Sequence, residues 1–376
     1  MDVLLEEFAI ILKNSIRLYS VIGGIISKMI DLLKQDAVKC ISTSLQDDIS
    51  MEIFCNRIMF GITGEFGYLR NIIKTTDEGR IFIEKLAETK GQPKVIFGAG
   101  QWGQWIYKYF PNENWVAFAD NNPNENYNGE LKVVSVQEML SDFDDVYVFI
   151  ASRYHWKEIF HQLLKEGIDE CKLFPLGELI DRCASKIYFD EAFLQHNNQE
   201  VFVDAGAFDG KTILDFNQWC NGKYSKIYAF EPQIEALEKC QCNCAGLQNI
   251  SYLHKGLWDS EQTVHFVCEG TESRIVENRN DSSFSVNVTS LDINVLGGGI
   301  IPTFIKMDIE GAELKALEGA AECISKYSPQ LAISVYHKPE DIIEIPMFIK
   351  SLNPKYRFWL RHYSLSWFDT VLYAVP

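Results

Sequence analysis

The sequence predicts an α/β fold built from two doubly wound units behind a helical N-terminal region. Three observations predict it. From about residue 91 to the end, short apolar runs alternate with longer helical stretches, the pattern of strands buried on both faces of a sheet. Two of these runs lead into glycine turns, Gly98-Ala99-Gly100-Gln101-Trp102-Gly103 and Asp204-Ala205-Gly206-Ala207-Phe208-Asp209-Gly210. In each unit the next apolar run ends at an acid, Asp120 or Glu231. A strand, a glycine turn, a helix N-terminus and an acid on the next strand form the nucleotide-gripping unit of open α/β sheets.

Length and composition bound the rest. The chain has 376 residues, long for one domain. The expected division is a helical region at 1–90, a small α/β domain at 91–185 and a larger one at 186–376. Hydrophobic residues make up 47%, enough for packed cores. The formal charge is −17, from 35 basic and 52 acidic residues. No excess of Lys and Arg exists to displace counterions, so nucleic acid and anionic membrane are disfavoured as partners. There are ten cysteines and no paired CxxC knuckles. Cys240 and Cys244 share one face of a predicted helix, while Cys242 points elsewhere. That is poor zinc geometry; free thiols in a reducing cytoplasm are the expectation.

Residues 1–90 carry helical periodicity, punctuated by Gly61, Gly64 and Gly67. Asp2, Glu6 and Glu7 stand where a signal peptide would want positive charge. The apolar stretch 8–33 is broken by Lys13, Arg17, Lys28 and Asp31, so it predicts amphipathic helix and no transmembrane segment. The region is expected to pack on the neighbouring α/β domains or to join two copies into a homo-oligomer.

The pattern changes at Gly91-Gln92-Pro93. A strand is predicted over 94–97, a helix over 105–110 and a strand over 115–119, ending at Asp120. Gly98, Gly100, Gly103 and Asp120 thus form a dinucleotide-type fingerprint and a candidate second nucleotide site. A strand over 146–151 and a helix over 156–166 come next, with 173–190 as linker and helix. A complete NAD-dependent dehydrogenase would need a substrate domain built around this one, so oxidoreduction is the weaker alternative. Phe97-Gly98-Ala99-Gly100 with Asp120-Asn121-Asn122-Pro123 resembles the small Rossmann-like domains of bacterial sugar-modifying enzymes. That resemblance implies a nucleotide or nucleotide-sugar ligand; the alternative is a domain that only packs and positions.

In the third region a strand over 201–203 is ended by Asp204. Gly206 and Gly210 open a turn into a helix starting near Lys211, and a strand over 226–230 ends at Glu231-Pro232. An acid there can accept both hydroxyls of a ribose. The turn is not Gly-x-Gly-x-x-Gly and has no Lys-Ser/Thr pair for a triphosphate. An adenosine ligand without phosphates, S-adenosylmethionine, suits it. A third strand is predicted from near Ile250 to Lys255-Gly256-Leu257-Trp258-Asp259, with Leu257 or Trp258 packing on adenine or in the core. A strand over 304–307 ends at Asp308. Glu310 sits next in the turn, and Glu313 begins a helix whose dipole its charge favours. His337 comes after a strand over 331–336.

These motifs resemble the FkbM family of S-adenosylmethionine-dependent methyltransferases from about residue 201 to the end. The resemblance rests on Asp204-Ala205-Gly206-Ala207, Ala229-Phe230-Glu231-Pro232 and Ser290-Leu291-Asp292. Its most specific part is Lys306-Met307-Asp308-Ile309-Glu310-Gly311-Ala312-Glu313. The tail adds Leu360-Arg361-His362-Tyr363-Ser364 and Thr370-Val371-Leu372-Tyr373-Ala374. Ala207-Phe208-Asp209-Gly210 departs from the family's turn, where many members have Asn. The resemblance implies a class I methyltransferase-type doubly wound sheet, joined here to a smaller Rossmann-like α/β domain. It also implies O-methylation, usually of a hydroxyl on a sugar or natural product.

The expected cofactor site is Asp204, Gly206, Asp209, Gly210, Glu231, Leu257, Trp258 and Asp308. A sugar hydroxyl is a weak nucleophile, so a general base is wanted. The candidates are Asp308, Glu310, His337 and His362. Asp308, Glu310 and His337 as ligands of a divalent metal are the less favoured arrangement. A scaffold of a glycan-modifying complex, binding a nucleotide sugar without catalysis, is the reading from a different class.

Overall fold

The structure is a computed structural model that describes residues 35–123, 131–269, 272–276 and 283–376. The expected amphipathic stretch 8–33 lies outside the described residues. The chain opens with helices α1 (Gln35–Ser42), α2 (Asp48–Thr63), α3 (Phe66–Lys74) and α4 (Asp77–Glu88). Asp47 and Thr76 cap α2 and α4 by accepting hydrogen bonds from the backbone of Ser50 and Gly79, donors that the helix itself leaves unpaired.

The first sheet contains β1 (Lys94–Phe97), α5 (Gln101–Tyr109), β2 (Trp115–Ala119), β3 (Val133–Val134) and α6 (Val136–Asp142). It continues with β4 (Tyr147–Ile150), α7 (Trp156–Lys165), β5 (Leu173–Phe174) and α8 (Leu176–Ala184). The strands lie in the order β3-β2-β1-β4-β5, all parallel. The stretch expected to be linker and helix therefore also supplies the fifth strand. Two residues are too short a run to announce a strand by pattern.

The second sheet begins with β6 (Glu200–Ala205), α9 (Lys211–Trp219), β7 (Tyr224–Phe230), α10 (Ile234–Asn243) and β8 (Ile250–Leu253). The chain then leaves it. β9 (Gly256–Leu257), β10 (Gln262–Glu269), β11 (Glu272–Val276) and β12 (Ser283–Thr289) make a separate sheet in the order β11-β10-β12-β9. The expected third strand to Asp259 is thus cut at Leu253, because Gly256 and Leu257 pair with Val288 and Thr289 of β12. After α11 (Leu291–Asn294) come β13 (Phe304–Met307), α12 (Glu313–Glu318), α13 (Ala321–Tyr327) and β14 (Gln330–Ser334). Then α14 (Asp341–Leu352), β15 (Arg357–His362) and β16 (Thr370–Val375) close the chain. The order is β15-β16-β14-β13-β6-β7-β8, with β16 antiparallel to both its neighbours.

The N-terminal helices are divided between the two sheets. Ile41, Ile53, Phe54 and Ile58 of α1 and α2 belong to the core of the second sheet. Leu69, Ile73, Phe82 and Leu86 of α3 and α4 belong to the core of the first, and so does Leu365 from the loop between β15 and β16. Ser50 Oγ accepts from Leu360 N at 2.9 Å, and Asp47 pairs with Arg361 at 2.6 Å. Exchange of apolar residues in both directions holds the two sheets together.

Candidate active site

The carboxyl ends of β6 and β13 meet in register, Asp204 beside Lys306 and Ala205 beside Met307. Gly206 follows β6 with φ of +80°. A Cβ there would sit 2.0 Å from the Asp308 carbonyl oxygen, so only glycine lets the two strand ends close up. Gly210 has φ of +82°, and a Cβ on it would meet Cys244 Sγ at 2.8 Å and Cys240 Sγ at 2.9 Å. The two thiols expected to share a helix face are therefore what the turn packs on; they are buried, while Cys242 is exposed.

A cavity of about 570 Å³ opens above this turn. Of the residues expected at the cofactor site, Gly206, Asp209, Glu231, Leu257, Trp258 and Asp308 line it, and so does Glu310, a candidate base. Asp204 and Gly210 are not among its lining residues. Asp204 is fully buried beneath the turn, with Oδ1 3.0 Å from Lys306 Nζ. Burial raises its pKa, and Lys306 opposes that shift. Lys306 also donates to the carbonyls of Ala205 at 3.1 Å and Gly206 at 2.9 Å. The expected cofactor contact of Asp204 is thus corrected to an internal brace, because the strand's alternation aims its side chain under the sheet end.

Glu231 is 5% exposed and held by two backbone donors. Its Oε2 accepts from Phe208 N at 3.0 Å and its Oε1 from Gln233 N at 2.9 Å. A carboxylate offers about four lone-pair sites, so one remains on each oxygen of this cavity-lining acid. The cavity thus fits an adenosine group: a glycine floor that a Cβ would fill, an oriented acid, and the apolar Leu257 and Trp258.

Asp308 accepts from Tyr188 Oη at 2.7 Å and Tyr336 Oη at 3.0 Å. Burial alone would raise its pKa. Lys306, His337 and the two tyrosine hydroxyls outweigh burial and hold it below the usual carboxylate range. His337 stands behind it and does not line the cavity. Its Nδ1 is 3.0 Å from Glu313, and its Nε2 is 3.5 Å from both Asp308 and Glu310. Burial would lower the imidazole pKa, but these three carboxylates raise it to about 9. A proton acceptor must be neutral, so the expectation of His337 as general base is corrected: at neutral pH it is a cation binding three acids. Atoms of Asp308, Glu313 and His337 lie within 4.8 Å of one another, but a protonated imidazole has no lone pair for a divalent ion, so in this charge state the grouping is an ion cluster and not a ligand set. Glu313 replaces Glu310 in it, since the Glu310 side chain is 85% exposed.

His362, the fourth candidate base, is not brought to the site. It lies in the β15–β16 pair, 3% exposed, with Nδ1 3.0 Å from Thr370 Oγ1. Burial and Arg57 push its pKa down to about 3, so it stays neutral. Four contributors were missed by the sequence reading: Tyr188, Arg153, Lys306 and Asp369, all on the cavity wall. Lys306 had a signal, since a lysine inside an apolar strand run demands a partner. Arg153 and Tyr188 come from segments that the sequence assigns to other roles.

In the first sheet the fingerprint residues do come together. Asp120 Oδ2 accepts from Ala99 N at 2.9 Å, and its Oδ1 accepts from Asn122 N at 3.0 Å. A Cβ on Gly103 would lie 2.0 Å from the Gly98 carbonyl oxygen, so that glycine serves the packing of α5 on β1. Gly98 has φ of +109°, and Gly100 caps α5. A larger groove of about 890 Å³ lies between α3, α4 and the segment 110–114, and none of the motif residues lines it.

The order of the second sheet is that of a methyltransferase-type fold, and with the family match that follows, the protein is an S-adenosylmethionine-dependent methyltransferase. Residues 204–360 match the family model described as the Methyltransferase FkbM domain. The chain is similar to the structure of an FkbM methyltransferase from Methylobacillus flagellatus KT, at 20% identity, covering 87% of this chain and 99% of that one, with a TM-score of 0.51. It is also similar to an rRNA methylase from Streptococcus thermophilus, at 17% identity, 48% and 88% coverage and a TM-score of 0.32. No curated protein matches the sequence. Among the described residues no helix is long and apolar enough to cross a membrane.

Proposed function

We propose that the protein transfers a methyl group to a hydroxyl of a sugar, glycan or nucleotide sugar. The observation that carries this reading is the make-up of the cavity wall. Its wall carries Arg153 and Asp369 as well as Glu231, Trp258 and Asp308, so polar groups beyond those assigned to the cofactor are left to meet an acceptor. Glu231 would accept the ribose hydroxyls, Leu257 and Trp258 would flank the base, and Gly206 and Asp209 would face the methionine moiety. The cofactor supplies a methyl group already activated on a sulfonium. What the protein adds is alignment of an oxygen behind it, the main source of acceleration in such a displacement. Asp308, fixed by Tyr188 and Tyr336, is placed to orient that oxygen.

A nucleotide sugar is the acceptor form that would use both units. Its sugar would enter the cavity, and its diphosphate would lie against the N-terminus of α5. In support, Trp102 and Trp105 of α5 pack on Phe368 at 5.4 and 5.0 Å between ring centres, and Phe368 adjoins Asp369. Methyl transfer from labelled cofactor into a glycan extract of the producing cell tests the reaction. Label in a base-stable ether on a sugar is the expected result; label only in nucleic acid or protein would overturn it. Thermal shift against a nucleotide-sugar panel tests the acceptor form.

A further inference from the structure

We infer that Asp369 is the group that receives the proton of the acceptor hydroxyl. The inference rests on the hydroxyl-acceptor reading above and names a catalytic residue for it. The other acids on the cavity wall are committed elsewhere. Asp308 takes hydrogen bonds from two tyrosines. Glu231 is held by two backbone amides. Asp215 is paired with Lys211 at 2.6 Å, and Asp209 accepts from Lys211 N at 3.1 Å. Glu310 is exposed to solvent. Asp369 lines the same cavity, and among the described residues nothing donates a hydrogen bond to its carboxyl.

Its surroundings tune it. The groups that face it are Asp308, Arg153, His337 and Arg57, together with the hydroxyls of Tyr188 and Tyr336. Burial, then Asp308, raise its pKa; Arg153, His337 and Arg57 pull the other way, and the result is about 8. A base works best when its pKa lies near the working pH. Arg153 reaches the cavity from the end of β4 and α2 supplies Arg57, so the first sheet and the N-terminal helices both tune the second sheet's chemistry. In the step itself the acceptor oxygen forms its bond to the methyl carbon as the carbon–sulfur bond breaks. The bonding pair stays on sulfur, giving S-adenosylhomocysteine, and the hydroxyl proton passes to an Asp369 carboxylate oxygen.

Asp369 has φ of +62°, a conformation that asparagine tolerates well. Asp369→Asn should therefore fold, which its melting curve checks. Two measurements test the inference. Calorimetry of S-adenosylmethionine binding near pH 8, in buffers of different ionisation enthalpy, reads proton release. The wild type should release up to about half a proton per site, since a carboxyl of pKa about 8 is half ionised there and the sulfonium favours its carboxylate, and Asp369→Asn should bind several-fold more weakly and release none. Labelled transfer into the glycan extract should fall at least a hundredfold in Asp369→Asn, with Asp369→Glu recovering part of it. Unaltered proton release, or near-normal transfer by Asp369→Asn, overturns the inference. If the wild type labels no glycan, the acceptor reading fails, and the proton-release result alone decides Asp369.

Discussion

The two glycine turns share one construction. In each, the acid after the second strand accepts an amide of the turn with one oxygen and an amide two residues downstream with the other. Asp120 holds Ala99 and Asn122; Glu231 holds Phe208 and Gln233. What differs lies two residues before the first glycine. In the first sheet that position is Ile96, whose neighbour on the central strand pair is Phe149. In the second it is Asp204, whose neighbour is Lys306. All four are buried. The acid-and-amide brace is therefore a device of the fold, and its presence is no proof of a ligand. The ion pair under the turn, together with a lined cavity above it, distinguishes the catalytic sheet.

The largest expected effect comes from breaking that distinction. Lys306→Ala leaves Asp204 buried without a countercharge and should cost about 3–5 kcal/mol in denaturant unfolding. Asp204→Ile with Lys306→Phe, copying the first sheet's pairing in spirit, should regain most of that stability. It should still lose cofactor binding by calorimetry, since the carbonyls of Ala205 and Gly206 lose the lysine that holds them. A double variant that binds normally would show that the ion pair is only structural.

His337 gives the next effect. Its folded pKa is raised to about 9, so its contribution is fully present below its unfolded value of about 6.5 and is lost as pH rises through 9. A shift of that size corresponds to about 3 kcal/mol. The stability gap between the wild type and His337→Gln should be widest near pH 6 and shrink toward pH 10. A gap that is independent of pH would mean that the imidazole is not charged.

Glu231→Ala should weaken S-adenosylmethionine binding by about 1.5–3 kcal/mol, the range for hydrogen bonds to a charged group. Unchanged affinity would move the ribose away from this acid. The matching change in the first sheet, Asp120→Ala, has the smallest expected effect. It should cost about 1 kcal/mol of stability through two lost backbone bonds and leave S-adenosylmethionine affinity untouched. Loss of cofactor affinity in that variant would show that the two turns are functionally coupled.

Local order in the chain determined a good deal by itself. The strands Lys94–Phe97, Trp115–Ala119 and Phe304–Met307 fall where their apolar runs predict. The helix from Lys211 starts where Gly210 permits. These signals are local: a buried parallel strand needs several consecutive apolar residues, and a turn of positive φ needs glycine. The same logic put Asp308 and Glu231 at strand ends, and so on the cavity wall. Only the tertiary structure decided the rest. Whether Asp204 faces a ligand or a lysine depends on the partner strand in register, which lies a hundred residues away. Whether His337 is a base or a cation depends on Asp308, Glu310 and Glu313 folding around it. His362 has the same sort of strand signal, yet it sits inside the β15–β16 pair. Asp369 carries no motif at all. It becomes a wall of the site because the loop after β15 turns back between the two sheets, and burial next to Asp308 then sets its chemistry.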